Sequence, residues 1–241
     1  MRKLIAIALL IAVIATLAFS STASATGSQP ASIVAALAAS AANNPAGSAT
    51  DCNWKDFDIL LAAVSALPFD AVNDPSGPTL VQALTGFKGT VFAPADASFR
   101  GLVSDLTNTP VWKLSEAKVL QTLLAIAGTS NLNGTGISGV VALSETVKYH
   151  VTAAQIPYLR TAAYKRTSVT TLTQLPALGL SDGIFKLRPP YLGIVRLIDD
   201  DTSDLNPFWF GKTIRCADGG TIHAIAGVLR PLDLKVLFPL D

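Results

Sequence analysis

Gly89-Thr-Val-Phe-Ala-Pro-Ala-Asp-Ala-Ser-Phe99 is the stretch from which the fold of this 241-residue chain is read. Thr90 to Ala93 is a short apolar run of the kind that forms a buried strand. Pro94, which has no N–H to donate, closes its ladder. Asp96 stands where a helix N-cap belongs, ahead of small Ala97 and Ser98 and the core-sized Phe99. The stretch therefore predicts a strand, a rigid corner and a capped helix. Taken alone, it is equally compatible with a generic strand-to-helix corner.

A second stretch narrows the choice. Gly220-Thr-Ile-His-Ala-Ile-Ala-Gly-Val-Leu-Arg-Pro231 reads as one long strand, with Ile222, Ala224 and Ala226 alternating with Thr221, His223 and Ile225. Between the two lies Lys148-Tyr-His-Val151. In order and spacing these three segments resemble the signature segments of the fasciclin (beta-Ig-h3) domain: a "TVFAPxDxAF" corner, a tyrosine-histidine segment and a "GxIHxIxxVLxP" strand. The resemblance covers roughly residues 51–232. It implies an α+β domain, a β-sheet wedge with several helices packed along it, with Asp96 and His223 as structural signature residues. It also implies extracellular adhesion. In that family integrin binding is tied to the tyrosine-histidine region, which Tyr149 and His150 match, and to an acidic-hydrophobic motif before the final strand. Lys212-Thr-Ile-Arg215 occupies that second place and carries no acid, so a glycan or wall polymer is as good a partner as a cell-surface protein.

The remaining chain fits a secreted single domain. Arg2 and Lys3 precede an uncharged run over 4–19, and Ala23-Ser24-Ala25 is an A-x-A site, which predicts a signal peptide over 1–25 cleaved after Ala25. The apolar run is short for a membrane span, nothing later is a candidate for one, and the C-terminus has no long apolar tail for a lipid anchor. The leader holds two of the 18 basic residues and none of the 17 acidic ones, leaving the rest near neutral. That balance, without a basic cluster, argues against nucleic-acid partners. Residues 26–50, rich in Ala, Ser, Gly, Asn and Pro, read as a low-complexity linker, with a frayed helix around Ile33-Val-Ala-Ala-Leu37 and a docked helix as the alternative.

From 51 onward the pattern is helices first and strands later, which argues for α+β rather than alternating units. Trp54, Phe57, Leu60, Leu61, Val64 and Leu67 share a helical face with Asn53 as a cap. Short helices follow over 79–84 and 140–148, and Ser115-Glu116 opens another that Gly128 ends. Period-two strands are expected over 168–172, 184–187, 192–198, 213–216 and 221–230. Residues 175–211, rich in Pro and Asp, read as an insertion relative to the family.

Candidate chemistry is sparse. His150 and His223 are the two histidines, both among apolar residues, and read as satisfied structural rings. No nucleophile elbow, zinc motif or phosphate loop is present, so no enzyme and no cofactor are expected. Asp199-Asp-Asp-Thr-Ser-Asp204 lacks the glycine and the bidentate glutamate of a calcium loop; it reads as a solvated turn, and no metal is expected. Cys52 and Cys216, the only cysteines, are expected to pair in a secreted chain. Asn133-Gly-Thr135 is a glycosylation acceptor in a loop. The function expected is adhesion to a cell surface, matrix or wall polymer. The alternative is a carrier of small molecules or glycans using an apolar cleft, motivated by the aromatics of Asn206-Pro-Phe-Trp-Phe210.

Overall fold

A computed structural model describes residues 29–41, 53–178, 181–191, 194–201 and 206–231. Seven strands, β1 (Thr90–Pro94), β2 (Val151–Thr152), β3 (Ser168–Thr170), β4 (Ile184–Tyr191), β5 (Ile194–Ile198), β6 (Phe208–Arg215) and β7 (Thr221–Ala226), form one sheet. Their spatial order is β2-β1-β7-β6-β5-β4-β3. β1 and β7 run parallel, in register from Thr90↔Thr221 to Pro94↔Ile225, and every other pair is antiparallel. The two outer strands meet at one point, where the Leu172 N–H donates to the Val151 carbonyl at 2.8 Å. The sheet is therefore nearly closed on itself.

Seven α-helices accompany it among the described residues: α1 (Ile33–Ala41), α2 (Asp58–Ala66), α3 (Leu80–Ala83), α4 (Asp96–Thr107), α5 (Glu116–Ala127), α6 (Gly139–Lys148) and α7 (Leu159–Tyr164). The domain is thus mixed α+β. Its helices pack in sequence, α1 on α2, α2 on α3, α4 on α5 and α5 on α6, while α7 lies on β4. β1 and β7 have both faces covered, and their alternation divides two cores. Val91, Ala93, Ile222 and Ala224 enter the core shared with α1 to α6. Phe92 and Ile225 enter the other, with Tyr149, Phe185, Leu187, Val195, Leu197 and Trp209. β3 and β5 bury alternate residues only, as expected of strands with one wet face.

Several expectations are corrected. The described part of 26–50 is no linker: Ile33 and Leu37 on α1 are wholly buried. The Pro30 and Ala31 carbonyls accept the Ala217 and Asp218 amides at 2.8 and 3.2 Å. The small residues that suggested a linker let α1 approach closely, so few large side chains suffice. α2 begins at Asp58 rather than at an Asn53 cap; the Asn53 side chain accepts the Lys55 amide, short of the helix. Residues 54–56 stay outside the helix because the Trp54 and Asp56 carbonyls accept amides of α4. Residues 175–211, read as an insertion, supply β4, β5 and the start of β6. The long strand expected over 220–231 stops at Ala226, where Gly227, at φ 98° against Pro207, turns the chain.

Candidate functional site

Tyr149 and His150 leave the C-terminal end of α6 and point inward; both are buried. The Tyr149 hydroxyl donates to the Ile184 carbonyl at 2.8 Å, and burial raises its pKa. His150 uses both nitrogens: Nδ1–H donates to the Thr146 carbonyl at 2.7 Å and Nε2 accepts the Leu229 amide at 2.8 Å. That pattern admits only the neutral Nδ1–H tautomer, and burial pushes the pKa down to about 4. Neither side chain can touch a macromolecular partner directly, so the expectation of a contact at Tyr149 and His150 gives way to a structural role.

His223, on β7, is the mirror case. Its Nε2–H donates to the Ile156 carbonyl at 2.6 Å, and its Nδ1 accepts the Thr213 hydroxyl at 2.9 Å. Burial, with Arg215 adding to it, lowers its pKa to about 4. The ring packs against Phe92 and Trp209. His223 thereby anchors the segment after β2, and two further groups do the same. The Thr90 hydroxyl donates to the Ala154 carbonyl at 2.8 Å and accepts the Ile156 amide at 2.9 Å, and Arg215 Nη2 donates to the Pro157 carbonyl at 3.3 Å.

These anchors decide the shape of the sheet. β2 and β3 run antiparallel, and beyond the Val151–Leu172 bond Ala153 and Gln155 would face Thr170 and Ser168 if closure continued. Thr90, His223 and Arg215 draw residues 154–157 towards β1 and β7 instead. The seam opens into a groove of about 670 Å³, between residues 152–158 on one side and Lys165 with residues 167–172 on the other, with Thr161 and Ala162 of α7 also lining it. At its closed end the seam is tied by Glu145, buried in α6. Its Oε2 accepts the Thr173 hydroxyl at 2.7 Å and the Gln174 amide at 2.6 Å, and Oε1 lies 2.5 Å from Lys148 Nζ. Sequence reasoning passed over this pair and over Thr90. The available signals were a Glu and a Lys three apart on an otherwise apolar helix, and a hydroxyl in an apolar strand.

Asp96 does not cap its own helix. Ala95 holds the N-cap position of α4, and the Asp96 and Ala97 amides donate to the Asp56 and Trp54 carbonyls at 3.1 and 3.0 Å. Asp96 Oδ1 instead accepts the Ile59 amide at the start of α2, at 3.1 Å. The two helix ends cap each other, because a buried amide must find an acceptor wherever one is near. Asp56, Asp58 and Asp96 come within 4.8 Å of one another, all buried. Burial, then a hydrogen bond with Asp56, raise the Asp96 pKa to about 9, so it keeps its proton at neutral pH. A cation there would have to displace that proton and face the Ile59 N–H and the positive end of α2. The arrangement is that of a shared proton.

The acidic stretch is also redrawn where it is described. Asp201 is buried and pairs with Arg230 at 3.3 Å, Arg230 reaches Asp105 at 2.8 Å, and Asp199 accepts the Arg230 amide at 2.8 Å. This is an internal clamp rather than a solvated turn. Burial lifts the Asp199 pKa to about 7. Of the aromatics after Asn206, Trp209 is buried while Phe208 and Phe210 are exposed. Tyr158, which lines the groove, is 63% exposed under the Arg215 guanidinium at 4.5 Å, and Tyr164, the last residue of α7, is 67% exposed. Asn133 is exposed in a short 3₁₀ turn. Cys216 is buried, and its expected partner Cys52 lies outside the described residues, as do the predicted signal peptide and its cleavage site. Among the described residues no helix is long and apolar enough to cross a membrane. No family model matches the chain, and no curated protein matches it.

Proposed function

We propose that the chain is a fasciclin-like secreted protein that adheres to a cell-surface, matrix or wall polymer through the surface around the open seam. The family reading is supported by how its three signature segments pack. β1 pairs β7, the Phe92 amide donates to the His150 carbonyl, and His150 accepts the Leu229 amide. The adhesion reading is carried by one observation: Tyr158 and Tyr164 are exposed at the two ends of α7, with Arg215 stacked on Tyr158 next to the groove. Exposed aromatics with a cationic neighbour are the residue types that anchor recognition surfaces. Contact thus passes from the buried Tyr149-His150 pair to the residues that follow it. The reading assigns no catalysis.

Adhesion of the purified chain to cells and to matrix and wall polymers is the test. Binding above an unrelated secreted control is expected. Tyr158→Ser with Tyr164→Ser should reduce it at least about tenfold while stability changes by about 0.5 kcal/mol or less, as for exposed sites. No binding to any surface would end the proposal. The carrier alternative draws on the same groove, whose volume falls in the range of small-ligand sites; co-purification of a small molecule or glycan from the native source would favour it.

A further inference from the structure

The geometry points to the open seam as a strand-addition site, in which an extended peptide segment of the partner pairs with the free edge of β3. The inference rests on the adhesion reading and names the partner chemistry and the atoms that recognise it.

β3 has a neighbour on one side only among the described residues, β4. The hydrogen-bond phase of that pair shows which residues face outward. The Leu187 amide donates to the Thr167 carbonyl and the Thr171 amide to the Gly183 carbonyl, so 167, 169 and 171 turn their main-chain groups to β4. Residues 168, 170 and 172 turn theirs to the seam. Leu172 is used there by Val151. Ser168 and Thr170 are left with N–H and C=O groups aimed into the groove, about 7 Å apart, the two-residue repeat of an extended chain. The strand that would have met them is held off by Thr90, His223 and Arg215. A sheet edge kept open by side chains from β1, β6 and β7 is a template for added backbone.

The lining identifies the occupant further. It mixes hydroxyl-bearing and small residues with the apolar Ile156, Val169 and Leu172, and it carries Lys165 as its one charged side chain, with no acid. An uncharged or acidic extended segment fits that charge, with main-chain bonds to Ser168 and Thr170 giving the register and Lys165 selecting an acidic side chain. A polysaccharide would use the exposed tyrosines and hydroxyls but has no use for the two-residue spacing of strand-edge amides.

The test uses the full chain and acetylated, amidated hexapeptides of alternating Thr and Val, with Glu replacing Thr at each position in turn. Matched peptides carry N-methyl groups at alternate backbone positions. In the protein alone, the Ser168 and Thr170 amides should exchange with solvent at least about tenfold faster than those of Val169 and Thr171. A Glu-containing peptide should bind and slow that exchange. N-methylation should weaken binding at least about tenfold. Thr170→Pro, which removes an outward N–H that β4 does not use, should do the same with an unchanged circular dichroism spectrum. Thr170→Val, which keeps the backbone, should bind within about twofold of wild type. Slow exchange at Ser168 and Thr170 in the protein alone would mean that the edge is already paired, by another part of the chain or a second copy, and would overturn the proposal. So would equal binding of N-methylated peptides, no peptide binding up to about 1 mM, or groove binding by a soluble polysaccharide alone. If Thr170→Pro adheres to surfaces as wild type does, strand addition falls and the adhesion reading stands. If peptides pair with the edge but no surface is bound, the reverse holds.

Discussion

Asp96 accepts the Ile59 amide with one oxygen and hydrogen-bonds Asp56, so its proton is part of the join between α2 and α4. Its pKa rises to about 9 from 3.8, so the native state binds this proton more tightly than the unfolded chain does. The stability it contributes is full below about pH 4 and is lost as pH rises towards 9. His150 and His223 have the opposite sign. Their native pKa values of about 4 lie below 6.5, so their contribution is full above about pH 6.5 and is lost as pH falls towards 4. Asp199, raised to about 7, sides with Asp96. Asp200, whose pKa burial also raises, joins them, so the two histidines offset these acids only below about pH 6.5, and the wild-type protein should lose stability above it. Asn can donate to Asp56 and accept the Ile59 amide without titrating. Asp96→Asn should therefore gain on wild type by up to about 1.4 kcal/mol per pH unit between about pH 4 and 9. Urea denaturation across that range reads it directly. A constant difference between the two proteins would show that Asp96 does not hold its proton.

At the level of elements, α1 shows how little apolar surface a docked helix needs when its neighbours are close. Only nine residues long, it nevertheless seals Ile33 and Leu37 completely against the main core. Gly220 lies so near Ile33 that a methyl group there would be within 2.8 Å of its side chain. Leu37→Ala should cost about 2–5 kcal/mol, the range for emptying a buried leucine site, whereas the same truncation in a linker would cost nothing measurable. A second tight joint is made by α5 and α6. A Cβ at Gly139 would collide with the Ile126 carbonyl, a backbone group that cannot swing aside. Gly139→Ala should thus destabilise by about 1–3 kcal/mol, despite alanine being the better helix former. Thermal denaturation of the two variants measures both effects. Wild-type stability in either would remove the corresponding contact from this account.

For the molecule as a whole, the sheet is closed at one end of its seam and open at the other. Glu145 and Val151 bind the 172–174 segment, while Thr90 and His223 draw 154–156 away. The expected Cys52–Cys216 bridge would act at this scale, since it would close a loop of about 164 residues and be worth at most about 5 kcal/mol. Burial raises the Cys216 pKa to about 11, so in the folded protein that sulfur would be an unreactive thiol if it were reduced. Thiol titration must therefore be done in denaturant without reductant. No free thiol is expected, and two would exclude the bridge.

The elements most legible in the sequence are those whose hydrogen bonds are local. Ser115 caps α5 by accepting the Lys118 amide three residues on, Gly128 ends that helix, and the alternation from Ser168 onward emerges as strands. The apolar run at Thr90 to Ala93 is a strand because its neighbours cover both faces, and its composition already demanded that. Tertiary structure alone decided the rest. Asp96 has the right residue type for a cap, but the amide it caps is 37 positions away. The α1 side chains were visible as apolar, yet whether a surface existed to bury them depended on α2 and on the turn before β7. The open seam depends on Thr90, His223 and Arg215 reaching one short segment from three strands. Sequence pattern records which face a residue prefers, because periodicity is a property of a few turns or pleats. Which distant group completes a hydrogen bond is set only when the chain has folded, because a buried donor takes whichever acceptor packing brings within reach.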